Sequence, residues 1–209
     1  MSRFTFYTNP MSRGQIARWA LHEVGASYDA VLVDWQAKPE AFLAANPMGK
    51  VPTIVHHADD GDHVVTECAA ICLYLAEVFP ESGLGPQDHE RAAYLRWTFF
   101  AAGPVEQAVT ARSLGFDPKD SRQQGMAGFG SYDRTVDALA GHLAQNAYVC
   151  GDRFTMADVY VGSHVDWGVG FKSLPERQEF LAYLDRVRAR PAYAEAKAID
   201  MKLIAEMQS

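Results

Sequence analysis

Three short stretches of this chain carry residues whose types and spacing suit chemistry. In "NPMGKVP", residues 46–52, Pro52 stands directly before the strand-like run Thr53-Ile54-Val55. Proline has no backbone N–H, and it pushes the residue before it into an extended conformation. Val51 is therefore expected extended, with its N–H and C=O turned outward. With a cis Val51–Pro52 bond that edge faces a cleft. An extended peptide can then pair with Val51 through antiparallel backbone hydrogen bonds. In "TECAAICLYL", residues 66–75, a strand runs straight into a helix that begins at Thr66 or Glu67. The unpaired N–H groups of a helix start suit a carboxylate. Glu67 can accept an ammonium while the Glu67 and Cys68 N–H groups hold the carboxylate, which together recognise an α-amino-acid end. In "YTNPMSRG", residues 7–14, a second helix start follows Ser12. A thiol held there would have its pKa lowered by the helix dipole, and the Ser12 hydroxyl could donate to the resulting anion.

Each stretch also has a purely structural reading. Pro52 could make a plain turn, Glu67 could complement a helix dipole beside a small buried thiol, and Ser12 could be a simple helix cap. Tyr7, Thr8 and Asn9 lie as close to the second helix start as Ser12 does, so all four remain candidates for the polar group there. Cys68 and Cys72 stand four apart on one helical face, near His56, His57 and His63. Zinc needs convergent, well-spaced ligands, and histidines around "DDGD" read more simply as a polar hairpin tip, so no metal is expected. Further on, "FTMAD", residues 154–158, reads as a capping box in which Thr155 caps and Asp158 reaches back to the Thr155 N–H.

The elements that must position these residues follow from pattern. "RFTFY", residues 3–7, alternates and reads as a strand, and apolar spacing through Ile16, Trp19, Ala20 and Val24 reads as a helix. A strand at 28–34, a short helix at 38–46 opening with Pro39, a hairpin at 52–66 and a helix at 67–79 follow. The first 80 residues thus read β-α-β-α-β-β-α, a mixed sheet with helices on both sides. Residues 81–88 lie in a Pro/Gly-rich linker. From residue 89 to 209 only helical patterns appear: a long helix bent at Pro104, a loop at 115–124, and helices within 125–146, at 156–170, at 176–189 and after Pro191.

Composition bounds the function. The chain has 209 residues, 48% of them hydrophobic and 22% charged, which suits a globular protein with a sizeable core. The formal net charge of −7 disfavours nucleic acid and anionic membranes as partners. No apolar run approaches a membrane span, and "MSRFTFYTNP" lacks the pattern of a signal peptide. Three cysteines, an odd number, suit a reduced cytoplasmic protein with buried thiols.

Taken together, "NPMGKVP", "TECAAICLYL", "FTMAD" and the order of the two halves resemble the cytosolic glutathione transferases over essentially the whole chain. The resemblance implies a thioredoxin-like βαβαββα domain at 1–80 that binds glutathione as co-substrate, joined by 81–88 to an all-helical domain at 89–209 forming the wall of an electrophile site. It implies that Val51 pairs its backbone with the cysteinyl unit and that Pro52 is cis. It assigns Glu67 and Cys68 to the γ-glutamyl group, and Lys38, Trp35 and Lys50 to the glycyl carboxylate. Ser12 would activate the thiol as in serine-type members, with Asn9, Thr8 and Tyr7 as alternatives. Cys68 departs from the usual serine, and S–H is a poor donor. The expected activity is conjugation of glutathione to an apolar electrophile, a detoxification chemistry, with no metal and with a homodimer as the assembly. Trp97, Phe99, Phe100, Phe116, Phe129 and Trp167 are the aromatics available to face that electrophile. Two other functions fit the same resemblance: a non-catalytic binding or regulatory module, and a glutathione-dependent peroxidase or thiol-disulfide activity that Cys68 would serve.

Overall fold

The N-terminal aromatic run becomes the buried centre of a sheet. The computed structural model describes residues 2–208. Strand β1 spans Phe4–Thr8, and Phe4 and Phe6 are completely buried. Helix α1, Gly14–Glu23, leads to β2, Tyr28–Leu32, which lies parallel to β1 as a helical connection requires. Helix α2, Glu40–Ala45, starts after Pro39, whose φ of −59° is already helical. Strands β3, Thr53–Ala58, and β4, Gly61–Thr66, form a hairpin, and β3 also runs antiparallel to β1. Helix α3, Cys68–Val78, closes the unit. The strand order is β2-β1-β3-β4.

Strand alternation puts helices on both faces. Phe6 lies edge-on to Tyr28 and under the Arg18 guanidinium of α1. Tyr7, the next residue, points the other way and packs with Val33, Phe42 of α2 and Val55.

The chain clusters into two compact units, Met1–Gly83 with Ala189–Ser209, and Leu84–Arg188. Sequence pattern put the C-terminal segment with the other helices, yet helix α10, Pro191–Met207, packs in the first unit. Its cause is a stripe on one face that matches α1 in antiparallel register. Arg190, just before α10, pairs with Glu23, Tyr193 meets Trp19 edge-on, and Lys197 donates to Gln15. Asp200 pairs with Arg18 at 2.9 Å, with both side chains almost fully buried. Those partners lie far apart in sequence, so no local pattern announces them.

In the second unit, the helix expected to bend at Pro104 is α4, Arg91–Phe100, continuing through a π-helical segment, Ala101–Val105, into α5, Glu106–Ser113. The wider turn absorbs a proline that cannot donate to the helical ladder. The stretch 115–124, read as a loop, contains the start of a short helix, α6, Ser121–Met126. Asp120 caps it by accepting from the Gln123 N–H. Helix α7 spans Tyr132–Leu143 with Ser131 as its cap, leaving the glycine-rich start outside it. Helices α8, Met156–Gly170, and α9, Gln178–Arg188, complete the unit.

Helix α8 is almost entirely buried and begins with the capping box expected at Thr155 and Asp158. The buried Asp158 carboxylate accepts from the Thr155 N–H, the Val149 N–H and the Tyr183 hydroxyl. Burial outweighs these bonds and pushes its pKa up to about 6.

Candidate functional site

The register of the sheet brings the three chemistry-bearing stretches to one end. Thr53 pairs with Tyr7 on one side and Thr66 on the other. Thr8–Ser12 leave the sheet just past Tyr7, Val51–Pro52 arrive just before Thr53, and Glu67–Cys68 follow Thr66. The Cys68 Sγ lies 3.6 Å from the Arg13 carbonyl, which it meets as donor, so the start of α3 touches the start of α1.

The loop carrying Val51 is built by two side chains that sequence reading passed over. Asn46 ends α2, and its side-chain amide donates to the Lys50 carbonyl at 2.9 Å and to the Thr53 hydroxyl at 3.0 Å. Its side-chain oxygen accepts from the Met48 N–H. The Thr53 hydroxyl in turn donates to the Lys50 carbonyl. An Asn followed by Pro-x-Gly is turn chemistry, and that signal was available. The Val51–Pro52 bond is cis, and the Val51 N–H and C=O make no hydrogen bond to another described residue. Its side chain packs beside the cluster of Tyr7, Val33, Phe42 and Val55.

Lys38 reaches this loop as well. A Cβ at Gly49 would lie 3.1 Å from the Lys38 Nζ, and Gly49 has a φ of +59°. The half-buried ammonium has no hydrogen bond or ion pair among the described residues. Lys50 and Trp35 are exposed. No hydrogen bond or ring contact joins the Trp35 side chain to another described residue.

Glu67 has a φ of +64°, a region that costs a non-glycine residue about 1–3 kcal/mol. Its side chain is exposed, and the helix N–H groups begin at this residue.

The four first-loop candidates separate clearly. The Tyr7 ring belongs to the core. The Asn9 amide pins the loop, donating to the Val33 carbonyl and accepting from the Met11 N–H. Thr8 is fully buried, and its hydroxyl has no partner among the described residues. Ser12 is half-buried, donates to the Asn9 carbonyl at 2.6 Å and accepts from the Gly14 N–H at 3.0 Å. Gly14 makes this wrap possible: a Cβ there would lie 2.1 Å from the Thr8 hydroxyl oxygen and 3.1 Å from that of Ser12.

Other candidates go elsewhere. Burial pushes the Cys72 thiol well above its ordinary pKa and the Cys150 thiol to about 11, which leaves both protonated at neutral pH. His56 meets the Tyr74 hydroxyl and accepts from Arg3, while His57 and His63 meet Asp62 and Asp60. Among the described residues no group of His, Cys, Asp and Glu could hold a metal ion. Of the six aromatics named for the electrophile wall, Trp97 and Phe129 are core, Phe100 and Trp167 are half-buried, and Phe99 and Phe116 are exposed. No helix among the described residues is long and apolar enough to cross a membrane.

Comparison with known proteins adds a family. Residues 11–78 match the pattern described as the glutathione S-transferase N-terminal domain, and residues 106–167 match its C-terminal domain. Glutathione S-transferase 1 of Dianthus caryophyllus is 32% identical over 165 residues, covering 71% of this chain and 69% of that protein. Glutathione S-transferase GstA of Escherichia coli O157:H7 is 26% identical over 183 residues, covering 84% and 88%. A sphingomonad glutathione S-transferase, solved in complex with glutathione, superposes with a TM-score of 0.73 at 28% identity, covering 94% of this chain and 98% of that one.

Proposed function

Because the chain belongs to the glutathione S-transferase family, we propose that it binds glutathione, stabilises its thiolate and transfers the sulfur to an apolar electrophile. The observation that carries this reading is the Tyr7–Thr53–Thr66 row, from which three separate recognition elements leave one sheet end.

In this reading the cysteinyl unit pairs with the free Val51 backbone edge, as an added strand does. The γ-glutamyl end gives its ammonium to Glu67 and its carboxylate to the N–H groups that open α3. Lys38 takes the glycyl carboxylate, with Lys50 and Trp35 at the margin. Ser12 turns its hydroxyl from the Asn9 carbonyl to the sulfur. That exchanges a neutral hydrogen bond, worth about 0.5–1.5 kcal/mol net, for one to an anion, and hydrogen bonds to ions are roughly twice as strong. A free thiol of pKa about 8.5 is only a few per cent ionised at neutral pH, and each unit of lowering raises that fraction about tenfold until it saturates. The thiolate then attacks the electrophilic carbon. With an aryl halide the C–S bond forms and the halide leaves with its bonding pair. The protein supplies no covalent nucleophile and acts by holding and ionising the thiol.

Residues 1–80 are assigned to glutathione binding, and the exposed and half-buried aromatics of the helical unit are the candidates to face an electrophile. A cytoplasmic homodimer is the working assembly. The test is retention on immobilised glutathione together with turnover of a chromogenic aryl halide. Retention with turnover supports the reading. The absence of both retention and turnover supports a binding module. Peroxide turnover that disappears in Cys68→Ala supports the redox alternative.

A further inference from the structure

The first loop is tethered to the C-terminal helix through one side-chain amide. Gln15, on the first turn of α1, donates from Nε2 to the Pro10 carbonyl at 2.6 Å. Its Oε1 accepts from the Lys197 ammonium at 2.9 Å. Pro10 lies between Asn9 and Ser12, so this bond holds the middle of the loop whose two ends are fixed by Asn9 on Val33 and by Ser12 on Gly14. Lys197 is itself held in register. Arg190 with Glu23, Tyr193 with Trp19 and Asp200 with Arg18 lock the same face of α10 against α1 on either side of it.

We propose that Gln15 and Lys197 are positioning residues for the thiol-activating loop, forming a relay from α10 through the Gln15 amide to the Pro10 carbonyl. This rests on the reading of Ser12 as the thiol-activating hydroxyl. A side-chain amide suits this point. It must accept from an ammonium and donate to a carbonyl at once, and no carboxylate, hydrocarbon or ammonium does both. A carboxylate at residue 15 would keep the bond to Lys197 but set an oxygen against the Pro10 oxygen, driving the loop away. The relay also gives residues 189–209 a part in the glutathione site although none of them touches glutathione in this reading.

The experiment measures the pKa of bound glutathione thiol from its thiolate absorbance, beside glutathione affinity. The proteins are wild type, Gln15→Glu, Gln15→Leu, Lys197→Met, Lys197→Arg and Ser12→Ala. Both Gln15 variants are expected to raise the bound-thiol pKa by about one unit, which is about tenfold less thiolate below the pKa. Lys197→Met is expected to give a smaller rise, because the Gln15–Pro10 bond survives, and Lys197→Arg to restore the wild-type value. Affinity for glutathione, measured below the bound-thiol pKa where the neutral thiol form binds, is expected to stay within about twofold in the Gln15 and Lys197 variants, because Val51, Glu67 and Lys38 are untouched. A generally loosened fold would weaken affinity along with the pKa effect and would not distinguish Arg from Met at 197. An unaltered thiol pKa in Gln15→Glu overturns the relay, whatever Ser12→Ala does. Failure of the wild type to bind glutathione overturns the reading beneath it, and the relay with it.

Discussion

Replacing Asp158 tests whether the helical unit depends on one buried carboxylate. Four buried donors converge on it: the Val149 N–H at 2.7 Å, the Thr155 N–H at 2.9 Å, the Tyr183 hydroxyl at 2.9 Å and the Thr155 hydroxyl at 3.2 Å, which also meets the Cys150 Sγ, so that three of the four rest chiefly on this carboxylate. Asp158→Ala leaves those three unsatisfied. At about 1–3 kcal/mol for each orphaned buried group, the loss is about 3–9 kcal/mol. A domain of this kind has only about 5–15 kcal/mol in all. Asp158→Asn keeps one oxygen for Val149 and Tyr183 and turns its amide nitrogen on the Thr155 N–H. It therefore orphans one donor and costs about 1–3 kcal/mol. Equilibrium urea denaturation followed by tryptophan fluorescence reads both. The titration of Asp158 adds a second observable. Its folded pKa of about 6 lies above its ordinary 3.8, so the protonated form is favoured on folding. Its contribution is fully present below the ordinary value and is lost as the pH rises through about 6. Between pH 5 and 7 the wild type should therefore lose roughly 1 kcal/mol relative to Asp158→Asn, which does not titrate. Equal losses for Ala and Asn, or losses below about 1 kcal/mol for both, would refute the count of orphaned donors. A wild-type advantage that grows with pH would refute the dominance of burial over hydrogen bonding.

Three further outcomes follow from the same geometry. Ser12→Ala should raise the pKa of bound glutathione thiol by about one unit with little change in affinity for the neutral thiol form, read from thiolate absorbance against pH; no rise would move the role to the α1 backbone. Glu67→Gly removes a positive-φ strain of about 1–3 kcal/mol against an unfolded-state entropy penalty of about 0.5–1 kcal/mol, so the melting temperature should hold or rise while glutathione retention falls; a lower melting temperature with retention intact would contradict it. Asp200→Ala should destabilise the fold by about 3–5 kcal/mol because Arg18 is left buried and unpaired, whereas the Arg18→Met, Asp200→Leu double variant should lose less, as measured by chemical denaturation.

Much of the first unit and the start of α8 could be read from residues close together in the chain. Alternation in "RFTFY", the Pro39 helix start, the "DDGD" hairpin and the "FTMAD" box are local signals, because hydrogen bonds and side-chain direction repeat over two to four residues. Each formed where those signals indicated. The short helix at Ser121–Met126 escaped because six residues show little periodicity, and its Asp120 cap was the one available clue.

The sequence by itself marked the stretches proposed for recognition, because a proline before a strand and a glutamate or serine before a helix leave their signature within a few neighbouring residues. Tertiary structure alone decided which atoms are left to use. It put Tyr7 in the core, tied Asn9 to Val33, brought the Lys38 ammonium over Gly49 and carried α10 back onto α1. These are contacts between residues many positions apart, set by strand register and by the matching of two helix faces, and neither is written in the spacing of any one segment.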